Sequence, residues 1–541
     1  MIVTASAPCE TAAPARGRGT ENQRRANLGD GTYRNPVMGG DCPDPTVLRV
    51  GDVYYLTFSS FESSPALVLW RSTNLVDWEP VGPACPRPWG SVFATDLVEH
   101  EGRFYMYIPF MPTSWSRVDA PTIAVIWTDD IEGEWSEPID LGIRGYIDPG
   151  HAVGEDGERY LFLSGVDRVR LTRDGLATAG PVTHVYDGWR YPEDWVVEDY
   201  SLEGPKHLVR DGRHYLVSAV GGTAGPATGH MIIVARSRSI DGPWENMPDN
   251  PLLRCTDPAQ PWWSRGHGTL VEGPGGQWYV VYHGYERDHQ ELGRQILLEP
   301  VDWTRDGWPV ARGGDLAAPL PLPGGGAGRH PGGGTGRHPG GGAGRHPGGL
   351  ALSDNFSAPS WGWRWTFDRP GANEAARADL SGEGLLLAGK GEDPSTSSPM
   401  CLRAPDRSYR VEAGIEFVDG ESTTAGLLLF LNHRLFLGLE LAVGRLRCWS
   451  GGVRTWGGQE LPDGARAARI AIEKADVGAR QHVVTMSYRL PGEEEWTRYP
   501  LRLECSGYHA NTAGDLVSLR PAVFAAGDGR ARITDLRYRA L

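Results

Sequence analysis

DPTVLRVGDVYYLTFSS, residues 44–60, reads as two short strands folded around a Gly51-Asp52 turn, and the first half of the chain repeats it. An acidic or polar residue, a short apolar strand, a Gly-containing turn and an aromatic strand return in the same order four more times. The copies are DLVEHEGRFYMYIPF (96–110), DPGHAVGEDGERYLFLSG (148–165), EGPKHLVRDGRHYLVSAV (203–220) and HGTLVEGPGGQWYVVYHG (267–284), with first residues 52, 52, 55 and 64 positions apart. A second hairpin-like stretch follows each copy, and three of these share an ending: LVLWRSTNLVDWEPVG, IAVIWTDDIEGEWSEP and IIVARSRSIDGPWENM. Two hairpins make four strands, and five four-stranded units describe the blades of a β-propeller. The innermost strand of each blade lines the central channel. Asp44, Asp96, Asp148, Glu203 and His267 are therefore expected to converge on one axis.

Outward from the repeats, PLPGGGAGRHPGGGTGRHPGGGAGRHPGGL (321–350) repeats an eight-residue Gly-Arg-His-Pro unit and cannot bury a core. It reads as a linker over residues 319–349. His330, His338 and His346 within it read as solvated rather than metal-binding. Beyond it, alternating runs such as SYRVEAGIEFV and RLFLGLELAVGRLRCWS predict an antiparallel, concanavalin-like β-sandwich over residues 350–541. The expected fold is all-β: a flexible tail over residues 1–29, a catalytic propeller over 30–318, the linker, then the sandwich.

Composition narrows the partners. A net charge of -15 argues against nucleic acid and anionic membranes, which need clustered positive charge. The aromatic load of 20 Trp, 19 Tyr and 12 Phe suits sugar surfaces as well as β-rich cores. The seven cysteines are scattered singly, without zinc-site spacing, and read as reduced thiols. The N-terminus lacks the apolar run of a secretory signal and no stretch is long and apolar enough to span a bilayer, so a cytoplasmic location is expected.

Glycoside cleavage needs one carboxylic acid to protonate the leaving oxygen and one carboxylate to activate water or attack the anomeric carbon. A third carboxylate nearby can raise the pKa of the proton donor. Three acids on three blades supply that set. The ordered motifs NPVMGGDCPDPTVLRVGDVYYL, YIDPGHAVGEDGERYLFLSG, EGPKHLV and GHGTLVEGPGGQWYVVYHGY resemble the signatures of glycoside hydrolase family 43 over residues 33–312. SDNFSAPSWGWRWTF, near Asp354, resembles the start of the sandwich that follows the propeller in its β-xylosidase members.

The resemblance implies an inverting enzyme with Asp44 as general base, Asp148 as pKa modulator and Glu203 as general acid. Gly204 and Pro205 select Glu203 over its neighbours Glu198 and Asp199. It also implies that His267, a candidate substrate-binding residue, sits at the channel centre beside a calcium ion or a water cluster, with no cofactor otherwise required. Arg294, in LGRQILLEPVDW, resembles an arginine that reaches the sugar. Phe61 and Trp89 are candidate sugar-stacking platforms, and Asp96 reads as a channel-wall residue. The branch resembled contains β-xylosidases and α-L-arabinofuranosidases, which implies exo-acting release of xylose, and of arabinofuranose, from short xylan-derived oligosaccharides. The alternatives are an endo-arabinanase, a dedicated α-L-arabinofuranosidase and a non-catalytic carbohydrate-binding propeller; homo-oligomers are compatible with all of them. Invertase-type propellers carry NDPN and RDP strings, which do not occur here.

Overall fold

The computed structural model describes residues 19–111, 120–325, 350–358, 363–462 and 464–541. Cys9, most of the expected linker and its three histidines lie outside the described residues. The five repeats fold as five antiparallel blades around an axis. Blade I comprises Thr46–Val50, Val53–Thr57, Ala66–Ser72 and Glu79–Cys85. Blade II comprises Asp96–His100, Arg103–Met111, Thr122–Thr128 and Ile139–Arg144, with Ser91–Val92 added. Blade III is built from Gly150–Val153, Arg159–Phe162, Asp167–Arg170 and Thr183–His184. Blade IV uses Glu203–Arg210, Arg213–Val220, Met231–Ser237 and Glu245–Asn246, with Leu253–Arg254 added. Blade V uses Trp262–Glu272, Trp278–Glu286, Arg294–Trp303 and Pro309–Ala311. The opening stretch behaves as read: Val50 faces Val53 across the Gly51-Asp52 turn.

The aromatic strands are nearly continuous hydrophobic runs because each is buried on both faces. In blade I, Tyr54 and Leu56 pack against Val271, Val281 and Leu298 of blade V. Tyr55, pointing the other way, packs with Leu97, Met106 and Ile126 of blade II. Similar apolar clusters fill the spaces between blades II and III, III and IV, and IV and V. Each fully buried aliphatic side chain contributes roughly 1.5–3 kcal/mol. The apolar cores thus lie between blades, which leaves the axis to polar residues. Thr32–Tyr33 pairs with Leu320–Pro321, and the Tyr33 hydroxyl donates to the Leu298 carbonyl at 2.9 Å, so the two ends of the propeller meet at blade V.

The remaining strands form two stacked sheets. One runs in spatial order Val453–Arg454, Arg445–Ser450, Leu435–Ala442, Thr424–Asn432, Arg520–Ala526, Met400–Leu402 and Trp365–Asp368. The other runs Ala378–Gly382, Gly384–Ala388, Arg530–Ala540, Tyr409–Phe417, Ala467–Asp476, His482–Arg489 and Thr497–Glu504. Val411, Ala413 and Ile415 from the second sheet meet Leu427, Leu429 and Leu431 from the first in one core. The first sheet also takes an edge strand from the propeller: Ser64 and Ser63 of the blade I loop pair with Phe367 and Asp368. Arg369 reinforces this seam by donating to Glu62 at 2.9 Å.

One expectation is corrected. Residues 19–29, read from the sequence as the end of a flexible tail, are held at the seam. Gln23 exchanges two hydrogen bonds with the backbone of Leu350, at 2.8 and 2.7 Å. Arg24 pairs with Glu286 of blade V at 2.7 Å, and its backbone N–H donates to Asp406 of the sandwich at 3.1 Å. The polar composition suggested solvation, but these side chains satisfy buried partners contributed by residues remote in sequence.

Candidate active site

The repeat brings its first residues to the axis with a shared backbone geometry. Asp44, Asp148 and His267 all lie in the left-handed region, with φ of 56°, 54° and 52°. Asp enters this region more readily than bulkier residues do, and single strained residues of this kind cluster at functional sites. Packing there is tight. A Cβ on Gly204 would lie 2.9 Å from the His267 ring, and one on Gly150 only 1.8 Å from the Pro205 carbonyl oxygen. Only glycine lets blades III, IV and V approach so closely.

Asp44 is buried and held on every side. Ser59 donates its hydroxyl to Oδ2 at 2.6 Å, and the Arg294 guanidinium donates through Nη1 to Oδ1 at 3.1 Å. His283 Nδ1 and His267 Nδ1 lie 3.2 and 3.6 Å from the same Oδ1. The Asp44 backbone N–H donates to His283 Nδ1 at 2.9 Å, which places the proton of that neutral ring on Nε2. Burial alone would raise the Asp44 pKa, but the Arg294 guanidinium holds the carboxyl well below the usual range. Arg294 is itself steadied by Asp41, whose Oδ1 accepts its backbone N–H at 2.9 Å.

Asp148 and Glu203 behave in the opposite way. Burial raises Asp148 well above its ordinary value, and the charges of Glu203 and Asp44 raise it further. Burial and then Asp44 push Glu203 up to about 8. The two carboxyls titrate as a pair that retains a proton at neutral pH. Asp148 accepts the Gly204 N–H at 3.0 Å and is shut in, whereas the Glu203 side chain keeps 20% of its surface exposed. His230 Nε2 lies 3.5 Å from Glu203 Oε1. Burial pushes His230 down to about 4 and His283 down to about 3, so neither imidazole carries charge at neutral pH.

The remaining candidates separate. Asp96 lines the channel, ion-paired with Lys206 at 2.7 Å, while Glu198 and Asp199 are exposed in the loop before blade IV. Phe61 is buried and joins the site from below, its ring 5.1 Å from the Arg294 guanidinium. Trp89 is half-buried and packs on Phe110 at 5.7 Å, with no contact to the acids. Calcium prefers six to eight oxygen ligands. Two carboxyls, Asp44 and Asp148, stand near His267 Nδ1, at 3.6 and 3.8 Å, fewer oxygens than calcium prefers. The described residues do not form a calcium cage there. Sequence reasoning missed His283, His230, Lys206, Ser59 and Asp41. His283 ends the fifth repeat in YVVYHG, but only the strand register, which sets it against Gly266, brings it to Asp44.

Comparison with known proteins agrees with this geometry. The chain is 31% identical over 315 residues to "Non-reducing end alpha-L-arabinofuranosidase BoGH43B" of Bacteroides ovatus, covering 52% of this chain and 54% of that protein. It is 30% identical over 339 residues to "Xylan 1,3-beta-xylosidase" of a Vibrio species, covering 54% and 60%. The chain thus spans about half the length of the curated relatives it matches. Among solved structures, the GH43 BlXynB protein of Bacillus licheniformis shares the fold, with a TM-score of 0.77 at 24% identity over 94% of this chain and 100% of that one. The family description "Glycosyl hydrolases family 43" matches residues 33–309, the whole ring of blades whose axis carries Asp44, Asp148 and Glu203, and the chain belongs to that family.

Proposed function

We propose that this protein is an exo-acting, inverting glycoside hydrolase that releases xylose, and arabinofuranose, from short xylan-derived oligosaccharides. One observation carries the reading: a single channel holds Asp44 well below the usual carboxylate range and pushes Glu203 up to about 8. Two carboxyls with opposed titration are what a base and an acid acting at once require.

In this reading water enters on the Asp44 side of the sugar. Asp44 takes its proton while the oxygen attacks the anomeric carbon. Glu203, the more exposed acid, gives its proton to the departing glycosidic oxygen, so the bond breaks as an alcohol leaves. Asp148 keeps the proton on the pair. Arg294 holds Asp44 ionised through Nη1, and its Nε and Nη2 are buried without a partner among the described residues, so a sugar that enters the site and reaches them would find unused donors. The carboxyls supply the chemistry, and no step is routed through an ion.

The xylose preference is supported by relatives named as β-xylosidases, and arabinofuranose by the Bacteroides ovatus protein named as an arabinofuranosidase. Exo action is supported by the sandwich, which docks on the blade I loop that carries Phe61. Cytoplasmic action on imported fragments is part of the reading, supported by six buried free cysteines. The test is release of xylose from xylobiose, with the first anomer followed by NMR, beside turnover of aryl β-xylopyranoside and aryl α-L-arabinofuranoside. An inverted sugar is expected. A retained anomer, or cleavage of linear arabinan with neither aryl glycoside turned over, would overturn it.

A further inference from the structure

Far in sequence from the catalytic acids, a second buried polar cluster lies where blade V meets the sandwich. The turn between Trp278–Glu286 and Arg294–Trp303 carries His289 and Glu291, and the strand His482–Arg489 of the sandwich begins with His482. All three side chains are buried. His482 Nδ1 lies 3.0 Å and His289 Nδ1 3.6 Å from Glu291 Oε1. Two zinc ligands in a tetrahedron with bonds of about 2.0–2.2 Å stand about 3.3 Å apart, a spacing these two distances bracket. Among the described residues, this is the one set of three His, Cys, Asp or Glu side chains whose ligand atoms all lie within 4.8 Å of one another.

Two further observations point to an ion. His289 Nδ1, both ring nitrogens of His482 and Glu291 Oε2 are buried without a hydrogen-bond partner, a costly state for polar atoms. The other nitrogen of His289, Nε2, lies 3.4 Å from Asp476 Oδ2, the carboxylate–histidine arrangement that orients metal-bound imidazoles. Lys474 donates to Glu291 Oε1 at 2.7 Å and fixes that carboxylate, leaving Oε2 unpartnered.

We propose that His289, Glu291 and His482 bind one divalent transition-metal ion of the zinc class, which pins blade V to the sandwich. Two imidazoles and a carboxylate suit zinc, and the half-buried His509 nearby, with its Nδ1 unpartnered, or a water completes four ligands. The site is independent of the proposed sugar chemistry, and so is its test.

The full chain is purified without a polyhistidine tag, with His330, His338 and His346 replaced by Gln so that the linker binds nothing. After dialysis, elemental analysis should find about one zinc per chain, and cobalt substitution should give the visible absorption bands of a tetrahedral site. H289Q and H482Q should each weaken metal binding at least tenfold, and chelation should lower the thermal midpoint of the parent chain but not of these variants. Equal metal content in parent and folded variants would overturn the proposal. If the variants fail to fold, the cobalt spectrum of the parent chain decides: absence of tetrahedral bands overturns it.

Discussion

Blade V carries two buried arginine–carboxylate pairs, and they are finished differently. Arg265 donates to Glu299 at 2.6 Å, to the Tyr282 hydroxyl at 2.8 and 3.1 Å, and to the Gly314 carbonyl at 2.8 Å. Glu299 accepts in turn from Tyr282 at 2.6 Å and from the Gly313 N–H at 2.8 Å. Arg294, on the next strand but one, reaches Asp44 through one nitrogen and leaves two donors without a partner among the described residues. A closed network of this kind holds a fold together. An open one retains hydrogen-bonding capacity for something that arrives later, and here it stands beside Asp44.

The largest test of that contrast lies on the open side. Asp44→Asn keeps the shape of the side chain and removes the proposed base, so kcat should fall about 10^2–10^4-fold with the protein still folded, as measured by steady-state kinetics and circular dichroism. The closed network should respond in the other currency. Arg265→Met strands Glu299 in an apolar setting, and denaturant titration should show a loss of about 3–5 kcal/mol in stability. Activity per folded molecule should stay near that of the parent; a kinetic defect without a stability defect would erase the distinction.

Arg294→Lys sharpens the comparison further. The charge beside Asp44 survives but the planar fork does not, so kcat/KM should drop about 10–100-fold, which corresponds to losing one or two good hydrogen bonds to sugar. The smallest effect concerns pH. Glu203 must hold its proton and Asp44 must lack one, so activity should be flat through mildly acidic pH and fall as pH rises through about 8. In Asp148→Asn the pair loses one potential negative charge, Glu203 gives up its proton more easily, and the basic limb should move to lower pH. A limb that stays in place would remove Asp148 from that role.

Much of this was legible from strand-length patterns. Residues 44–60 and their four echoes determined the blade count, because alternation of period two, Gly-Asp turns and aromatic runs are local properties of the backbone. Equivalent positions in those repeats also predicted that Asp44, Asp96, Asp148, Glu203 and His267 would converge; Asp44 and Asp148 lie 3.6 and 3.8 Å from His267 Nδ1, and Asp96 is paired with Lys206. Other residues were not legible. His230, just before the third strand of blade IV, and His283, on the second strand of blade V, come together at 3.2 Å only because the two blades are neighbours around the axis. Phe61, a candidate sugar-stacking platform from its place after a strand, is buried edge-on to Phe93 with its ring 5.1 Å from the Arg294 guanidinium, contacts that the sequence does not show. Residues 19–29 looked like tail because their partners, Leu350, Glu286 and Asp406, are hundreds of positions away.

The sequence by itself determined the five blades and the sandwich strands and singled out three candidate acids, since each is written in a short window. Tertiary structure alone decided which acid is charged, because that depends on burial and on the Arg294 guanidinium brought across from another strand. It alone also set His289 and Glu291 against His482, since two domains' surfaces must dock before 190 intervening residues cease to matter. Local periodicity is carried by neighbours in the chain; pKa values and ligand sets are carried by neighbours in space.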